Sequence, residues 1–139
     1  MSNSITKKNI STQAACTAVQ AAVEKAKTLG IAINVSVVDS SAIEMAFLRM
    51  NNSFLPSMDI AKDKAYTSAG FGLPTMQWKN ILEGNTQLQA GIVARPRVIT
   101  FGGGLPISEG GDLIGAIGVS GGSEEEDVIC AQAGIDAII

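Results

Sequence analysis

The sequence predicts an α/β fold of the α+β kind, in which a five-stranded, mostly antiparallel sheet is flanked by helices. Segments with apolar residues at three- and four-residue spacing alternate with short segments of period-two apolar pattern. The short segments come in pairs joined by turn residues, as in β-hairpins. The order of elements is α-β-β-α-α-β-β-β-α, without a repeat or a linker, so we expect one domain over residues 1–139.

The first helix is predicted from a cap, a stripe and a stop signal. Residues 1–10 are polar, and we expect them to be loose. Ser11 or Thr12 can cap the helix that follows, and Gly30 ends it as a residue that tolerates positive φ. The apolar stripe of this helix is Ala15, Val19, Ala22, Ala26 and Leu29.

A hairpin and a second helix come next. Residues 31–38 and 43–50 alternate apolar and polar side chains, and the turn residues DSSA (39–42) lie between them. The breaker NNSFLP then ends the second strand. Ser57 is predicted to cap a second helix that runs to about Gly70.

The second half is predicted to hold a short helix, three strands and a final helix. The short helix covers about 75–82, and residues 83–96 are expected to be loop because their periodicity is weak. The predicted strands are 97–101, 105–108 and 113–120, the last two joined by the turn EGGD. Ser123 and Glu126 form a capping box. The predicted core stripe of the last helix is Val128, Ile129, Gln132, Ile135 and Ile138.

The composition excludes several classes of function. The net charge is −3 and the ten Lys and Arg residues are scattered, so a nucleic-acid partner is not expected. No apolar run approaches the roughly 18–20 residues of a membrane span, and no apolar signal segment is visible, so we expect a cytoplasmic protein without a membrane partner. The chain has no histidine, which excludes His-based catalysis and His-ligated zinc or haem. No metal site is predicted.

Three consecutive glycines, Gly102, Gly103 and Gly104, stand out. They lead into an extended segment, without the G-K-[ST] and helix of a phosphate loop. Glycines that only serve bends and bulges are the simpler interpretation. A run of bare backbone with free amides is also a means of bringing a ligand close to a sheet edge, and the sequence leaves both interpretations open.

The segments VSVVDSSAIEMAFLRMNNSFLPSMDIAKDKAYTSAGFGLPT, FGGGLPI and LIGAIGVSGGSEEEDVICAQAGIDAI resemble the GlcG/HbpS-like family over about residues 10–139. The resemblance implies a profilin-like sandwich with a five-stranded antiparallel sheet. It also implies homo-oligomers, from dimers to octamers, and a relation to the C-terminal domain of the propanediol-utilisation corrinoid adenosyltransferase. One departure is Ala42, where the family's first turn usually has glycine.

The resemblance makes haem and corrinoid the possible cofactors, although the lack of histidine disfavours haem. Met58, Tyr66, Cys16 and Lys64 remain as potential iron ligands. Cys16 lies among helix alanines and is expected to be a small core residue, and Met58 is expected to pack. The cofactor therefore stays unknown at this point.

Lys64 is the main candidate for binding. It lies one turn after Ile60 on the second helix and matches a lysine of the family's motif, here IAKDKAYT. Near the amides of Gly102–Gly104 it would form a pocket for a small anion. The alternative is a lysine that snorkels to solvent. The pocket hypothesis predicts that Lys64→Ala abolishes ligand binding and leaves the melting temperature within a few degrees.

Two further residues are candidates for ligand binding. Arg49 ends the second strand and matches a strand-end arginine of the family; a salt bridge to Asp59 or bidentate binding of an anion would both suit it. Asp39, in the hairpin turn, is expected to make an Asx-type turn bond, with catalysis as the alternative. The acidic run 124–127 is interpreted as a solvated helix start rather than a cation site.

These observations support three functions. The first is an oligomeric protein that binds a small anionic metabolite or cofactor at Lys64 and Gly102–Gly104. The second is an enzyme of diol or glycolate metabolism, such as a hydrolase or isomerase, although no nucleophile and base stand out. The third is an accessory protein of a corrinoid-dependent enzyme.

Overall fold

The structure, a computed structural model, describes residues 2–139, so Met1, part of the predicted loose segment, lies outside the described residues. The helices are α1 (Thr12–Leu29), α2 (Ser57–Phe71), α3 (Trp78–Leu82), α4 (Thr86–Ile92) and α5 (Glu124–Asp136). The strands are β1 (Asn34–Asp39), β2 (Glu44–Arg49), β3 (Gly104–Glu109) and β4 (Asp112–Ser120). A 3-10 turn, Thr75–Gln77, leads directly into α3.

The sheet is antiparallel and has the strand order β2-β1-β4-β3. It has four strands, so the prediction of five is wrong for residues 97–101, which lie outside it. The reason is that this segment binds α2 instead of a strand. The Thr67 hydroxyl donates to the carbonyl of Arg97 at 3.0 Å and accepts from the amide of Ile99 at 3.0 Å.

Helices cover both faces of the sheet. The face towards α1 and α5 holds most of the apolar core, which includes Val35, Ile117 and Val119. The contact between α2 and the other face is formed by smaller residues, such as Ala65 on α2 and Ala116 on β4. Small side chains let the backbone of α2 lie close to the central strands, and this closeness positions the candidate site.

The ends of α1 and α5 confirm the predicted caps. The Ser11 hydroxyl accepts from the amide of Ala14 at 3.1 Å, and Gly30 ends α1 in the left-handed conformation. Ser123 and Glu126 form both bonds of the capping box. The cap predicted for α2 is wrong, because Ser57 is its first helical residue and Pro56 precedes it without a side-chain cap bond.

Three other expectations differ from the structure. Residues 83–96 were expected to be loop, but they contain α4, whose N-terminus is capped by the side chain of Asn85. The N-terminal segment is held at its end, where the amide of Ile10 donates to the carbonyl of Ile114 at 2.9 Å. The predicted core stripe of α5 is confirmed at Ile135 and Ile138 but is wrong at Gln132 and at Ile129, which is 42% exposed. The residues that α5 buries are Asp127, Cys130, Ala131, Gly134 and Ile135.

The β1–β2 turn keeps its geometry although Ala42 stands where the resemblance expects glycine. The Asp39 carboxylate accepts from the amides of Ser41 (2.8 Å) and Ile43 (3.1 Å), so the predicted Asx-type bond is present. Ala42 has φ +64°, in the left-handed region. A side chain there costs about 1–2 kcal/mol.

We therefore expect Ala42→Gly to raise the free energy of unfolding by about 0.5–1 kcal/mol, after the entropy cost of glycine in the unfolded chain. Urea unfolding measures this change. Ala21→Gly in the interior of α1 is the control, and it is expected to lower stability by about 1 kcal/mol. A loss of stability in Ala42→Gly as well would contradict the strain argument.

Candidate functional site

Lys64 is buried between α2, the end of β4 and the start of α5. Its side chain is 1% exposed, which excludes a lysine that snorkels to solvent. Its Nζ donates to the carbonyl of Val119 at 2.8 Å and to Oδ2 of Asp127 at 3.1 Å, and it lies 5.2 Å from the centre of the Phe101 ring. We call Lys64, Phe101, Gly103, Val119 and Asp127 the Lys64 cluster.

Asp127 is the anion of this cluster. The fourth residue of α5, it has a side chain only 4% exposed, so the interpretation of residues 124–127 as a wholly solvated helix start is wrong at this position. Its Oδ1 accepts from the amide of Gly122 at 2.9 Å, while Oδ2 accepts from Lys64. The carboxylate therefore ties the start of α5 to α2 across the end of β4.

Burial and pairing act in opposite directions on both charges. Burial lowers the pKa of Lys64, and the carboxylate of Asp127 partly offsets this effect. Burial likewise raises the pKa of Asp127, against the influence of the Lys64 ammonium and the Gly122 amide. The desolvation of two ions is costly and is repaid only by good geometry and added hydrogen bonds, both of which are present here.

The glycine run packs against Lys64. A Cβ atom at Gly103 would lie 2.5 Å from Lys64 Nζ and 2.5 Å from the carbonyl of Val119. At Gly104 it would lie 2.6 Å from the carbonyl of Lys64. A Cβ at Gly102 would meet its nearest atom at 3.4 Å, an ordinary contact. Close packing therefore accounts for two of the three glycines, and Gly102 differs from them.

The free amides expected for this run are wrong for Gly102 and Gly104. Gly102 donates to Oε1 of Glu124 at 2.8 Å, and Gly104 donates to the hydroxyl of Thr75 at 3.0 Å. Glu124 is itself exposed to solvent. An anion that approaches this edge thus meets a carboxylate that already occupies the Gly102 amide.

The other two candidates lie away from the Lys64 cluster. Arg49 is exposed at the end of β2, opposite Asn34 in the register. Within residues 2–139 it forms no ion pair, so the predicted salt bridge to Asp59 is absent. Asp39 serves the hairpin turn, and no group of three or more metal-ligating side chains occurs in the part of the chain that the structure describes.

Sequence reasoning missed Asp127, Glu124 and Thr75. A signal for Asp127 was available, because it shares the spacing i, i+3, i+4, i+7 with Cys130, Ala131 and Gly134. An acidic residue on such a face of small residues indicates a buried charge that needs a partner. No comparable local signal exists for Thr75, whose contact with Gly104 depends on the tertiary fold.

Two cavities lie near these elements. One, of about 490 Å³, opens next to Phe101 and Glu124 at the edge of the Lys64 cluster. Its other lining residues are Lys79, Leu82, Glu83, Gly84, Gln89 and Thr100. We call it the Gly102 cavity, because Glu124 in its wall binds the Gly102 amide. The second and larger, of about 700 Å³, lies beside Tyr66 and the C-terminal half of α2. Between residues 2 and 139, no helix is long and apolar enough to cross a membrane.

Comparisons with known proteins identify the family. The family model described as "Haem degrading protein HbpS-like" matches residues 10–136. The corrinoid adenosyltransferase PduO of Salmonella typhimurium is 36% identical over 121 residues, which are 86% of this chain but only 36% of that protein.

Two crystal structures agree closely with this fold. Klebsiella pneumoniae protein ORFY has a TM-score of 0.93 at 32% identity, over 99% of this chain and 96% of that chain. The PduOC:haem complex has a TM-score of 0.87 at 34% identity, over 94% of this chain and 95% of that chain. The resemblance noted in the sequence is confirmed, and the chain belongs to the HbpS-like family.

Proposed function

We propose that this chain is a small-ligand-binding protein whose ligand is a small anion, such as a carboxylate, seated at Gly102 beside the Lys64 cluster. The observation that carries the proposal is the bond between Glu124 and the Gly102 amide. An exposed carboxylate already occupies an anion position here, in the wall of a cavity of about 490 Å³. Cavities of about 300–1,000 Å³ are typical of small-molecule sites.

The binding step is an exchange of one carboxylate for another. Glu124 is exposed, so its side chain can turn to solvent at a small cost, and the charge next to Lys64 is then supplied by the ligand. The charge of Glu124 raises the pKa of Lys64, and a ligand carboxylate in the same place would have the same effect. Lys79, exposed in the cavity wall, adds a second cation at the entrance.

This mechanism leaves Lys64 in place. Its ammonium stays paired with Asp127, and the ligand binds at the open side of the cluster through the Gly102 amide. Lys64 and Gly103 together support the position of that amide, since they are in direct packing contact. The proposal thus keeps the predicted residues Lys64 and Gly102–Gly104 in one site and omits Arg49 and Asp39.

The experiment is a titration of ¹⁵N-labelled protein with propionate and with inorganic phosphate, followed through the Gly102 amide resonance. Glu124→Ala removes the competing carboxylate and is expected to bind propionate at least about tenfold more tightly than the unsubstituted chain. The control is Glu125→Ala, which removes the same charge from a neighbouring exposed residue and is expected to leave the affinity unchanged.

The proposal fails if the Gly102 resonance of Glu124→Ala moves with neither anion. Conversion of propionate into a product during the titration would instead favour the enzyme alternative.

The haem named in the PduOC complex was tested against the donors of this chain. Histidine is absent, and Cys130 is fully buried with its pKa raised to about 11 by burial, so it remains a thiol. Cys16 is exposed rather than in the core, which corrects the sequence interpretation, and it lines neither large cavity. Tyr66 is the one remaining donor beside the larger cavity. The residues do not fit a histidine-ligated haem, and haem is not part of the function proposed for this chain.

We also propose that copies of the chain associate. Phe54 and Leu55, adjacent in the loop before α2, are 67% and 75% exposed. Large apolar side chains that are exposed side by side, as Phe54 and Leu55 are, are typical of subunit contacts.

A further inference from the structure

The larger cavity, of about 700 Å³, is a cleft on the side of α2 away from the Lys64 cluster. Three parts of the chain form it: the β1–β2 turn, the C-terminal half of α2, and the end of α4 with the segment that follows it. Its lining residues are Ser40, Ser41, Ala42, Tyr66, Ala69, Gly70, Phe71, Ile92, Arg95, Pro96 and Val98. Most of them are apolar, and Arg95 is the only charged member. We call this the Tyr66 cleft.

Two walls of the Tyr66 cleft are fixed by hydrogen bonds. Asp39 holds the turn that carries Ala42. On the opposite side, Nε of Arg97 donates to Asp63 at 2.9 Å, and the guanidinium lies over the Tyr66 ring at 4.1 Å. The carbonyl of Arg97 accepts from the Thr67 hydroxyl. Ala42 and Arg97 have φ +64° and +69°, conformations that persist only where the surroundings enforce them. The cleft is therefore formed before any ligand arrives.

Charge selects the ligand that this shape accepts. Arg97 is neutralised by Asp63, whereas Arg95 forms no ion pair within residues 2–139 and lies exposed in the cleft wall. None of the other lining side chains is charged: those of Ser40, Ser41 and Tyr66 carry hydroxyl groups, and the rest are apolar. A guanidinium beside an apolar pocket matches a ligand with an apolar body and one anionic group.

We propose that the Tyr66 cleft is a second binding site, for organic anions with an aromatic or aliphatic body. The apolar part of the ligand packs on Phe71, Val98 and the Tyr66 ring, and its carboxylate or sulfonate binds Arg95. This site differs from the Gly102 cavity in location and in chemistry, because that cavity contains the carboxylates of Glu83 and Glu124. The inference does not depend on the function proposed above.

The chain carries its own reporter for this site. Phe71 packs edge-to-face on Trp78, with ring centres 4.9 Å apart, and Trp78 is the only tryptophan. A ligand that contacts Phe71 therefore changes the surroundings of the single indole.

The experiment uses two fluorescent probes of similar body and different charge. 8-Anilino-1-naphthalenesulfonate carries a sulfonate, and N-phenyl-1-naphthylamine lacks it. Both are titrated into the full chain, with Trp78 emission recorded alongside probe emission. Arg95→Ala is expected to weaken binding of the sulfonate at least about tenfold, the loss of one charge-assisted contact, and to leave the neutral probe within about twofold.

A second variant tests the location. A side chain at Gly70 starts in open space, with no atom within 4 Å of its Cβ, so Gly70→Leu can fill the cleft without a clash. It is expected to weaken both probes at least about tenfold, the scale of one lost apolar packing site. Lys25→Ala, which removes an exposed cation from α1, is the control and should change neither probe.

The proposal is overturned if Arg95→Ala leaves the sulfonate affinity unchanged, or if Gly70→Leu leaves both probes bound. A haemin titration gives a third outcome. A Soret band that forms with the unsubstituted chain and is lost in Tyr66→Phe would assign the cleft to haem and would also overturn the proposal.

Discussion

Replacement of Lys64 by methionine is expected to lower the free energy of unfolding by about 3–5 kcal/mol, because it leaves the carboxylate of Asp127 buried without its cation. Asp127 has a side chain only 4% exposed, so water cannot replace the lost ammonium. Urea unfolding is the measurement. The same argument replaces the earlier expectation that Lys64→Ala would leave the melting temperature within a few degrees, which assumed an open pocket around the lysine.

A double-mutant cycle separates the charge pair from simple packing. Asp127→Asn keeps an acceptor for the Gly122 amide and is expected to destabilise by a similar amount, because it leaves Lys64 unpaired. The double variant Lys64→Met/Asp127→Asn removes both charges and should recover most of the loss. If the two single effects simply add in the double variant, the ion pair is not the cause.

The pH dependence gives an independent check. In Lys64→Met, burial still raises the pKa of Asp127 above 3.8, and the cation that opposed it is gone. A carboxyl group with a raised pKa in the folded state stabilises that state at low pH, and this stability is lost as the pH rises through the folded pKa. The loss in free energy of unfolding that Lys64→Met shows against the unsubstituted chain should therefore be smallest below about pH 4 and grow towards neutral pH. The double variant should not show this trend.

The second large effect is expected within the glycine run. Gly104→Ala places a Cβ atom 2.6 Å from the carbonyl of Lys64 and 2.8 Å from Cγ2 of Thr75. Gly103→Ala places it 2.5 Å from the carbonyl of Val119, at a φ of +131° that favours glycine. Backbone carbonyls cannot rotate out of contact as a flexible side chain can. The free energy of unfolding of each variant is therefore expected to fall by about 1–3 kcal/mol or more.

Gly102→Ala is the control in the same run. Its nearest neighbour would be a methyl group of Val128 at 3.4 Å, so the stability of this variant should stay within about 0.5 kcal/mol of the unsubstituted chain. Thermal unfolding of the three variants under the same conditions measures the differences in stability. Equal losses at Gly102, Gly103 and Gly104 would show that backbone flexibility, and not contact with Lys64, determines the cost.

Local signals predicted much of the fold. Ser11 and Gly30 predicted the two ends of α1, and the capping box of Ser123 predicted the start of α5. These predictions hold because the residues act on neighbouring backbone groups. The strand expected at 97–101 failed for the opposite reason. Its β-branched residues are typical of a strand, but the partner that decided its conformation is Thr67, on a helix far away in the sequence.

The site was predictable only in part. The pairing of Lys64 with the glycine run followed from matched motifs, and the structure places them in direct contact. The burial of Lys64 and its ion pair with Asp127 were not predicted. Asp127 belongs to a run of acidic residues at the start of α5, and that run was interpreted as solvated. What distinguishes Asp127 from Glu125 is the face of the helix on which it lies, and the predicted stripe for α5 included the exposed Ile129 and omitted Asp127.

The contact between Gly103 and Lys64 also constrains how this chain can change over generations. The volume that a side chain at position 103 would need is filled by the end of the lysine, so the two positions share one space. A lineage that keeps the lysine is therefore expected to keep the glycine. The reverse does not hold, because the carbonyl of Val119 and the φ of +131° disfavour a side chain at position 103 whatever residue stands at position 64.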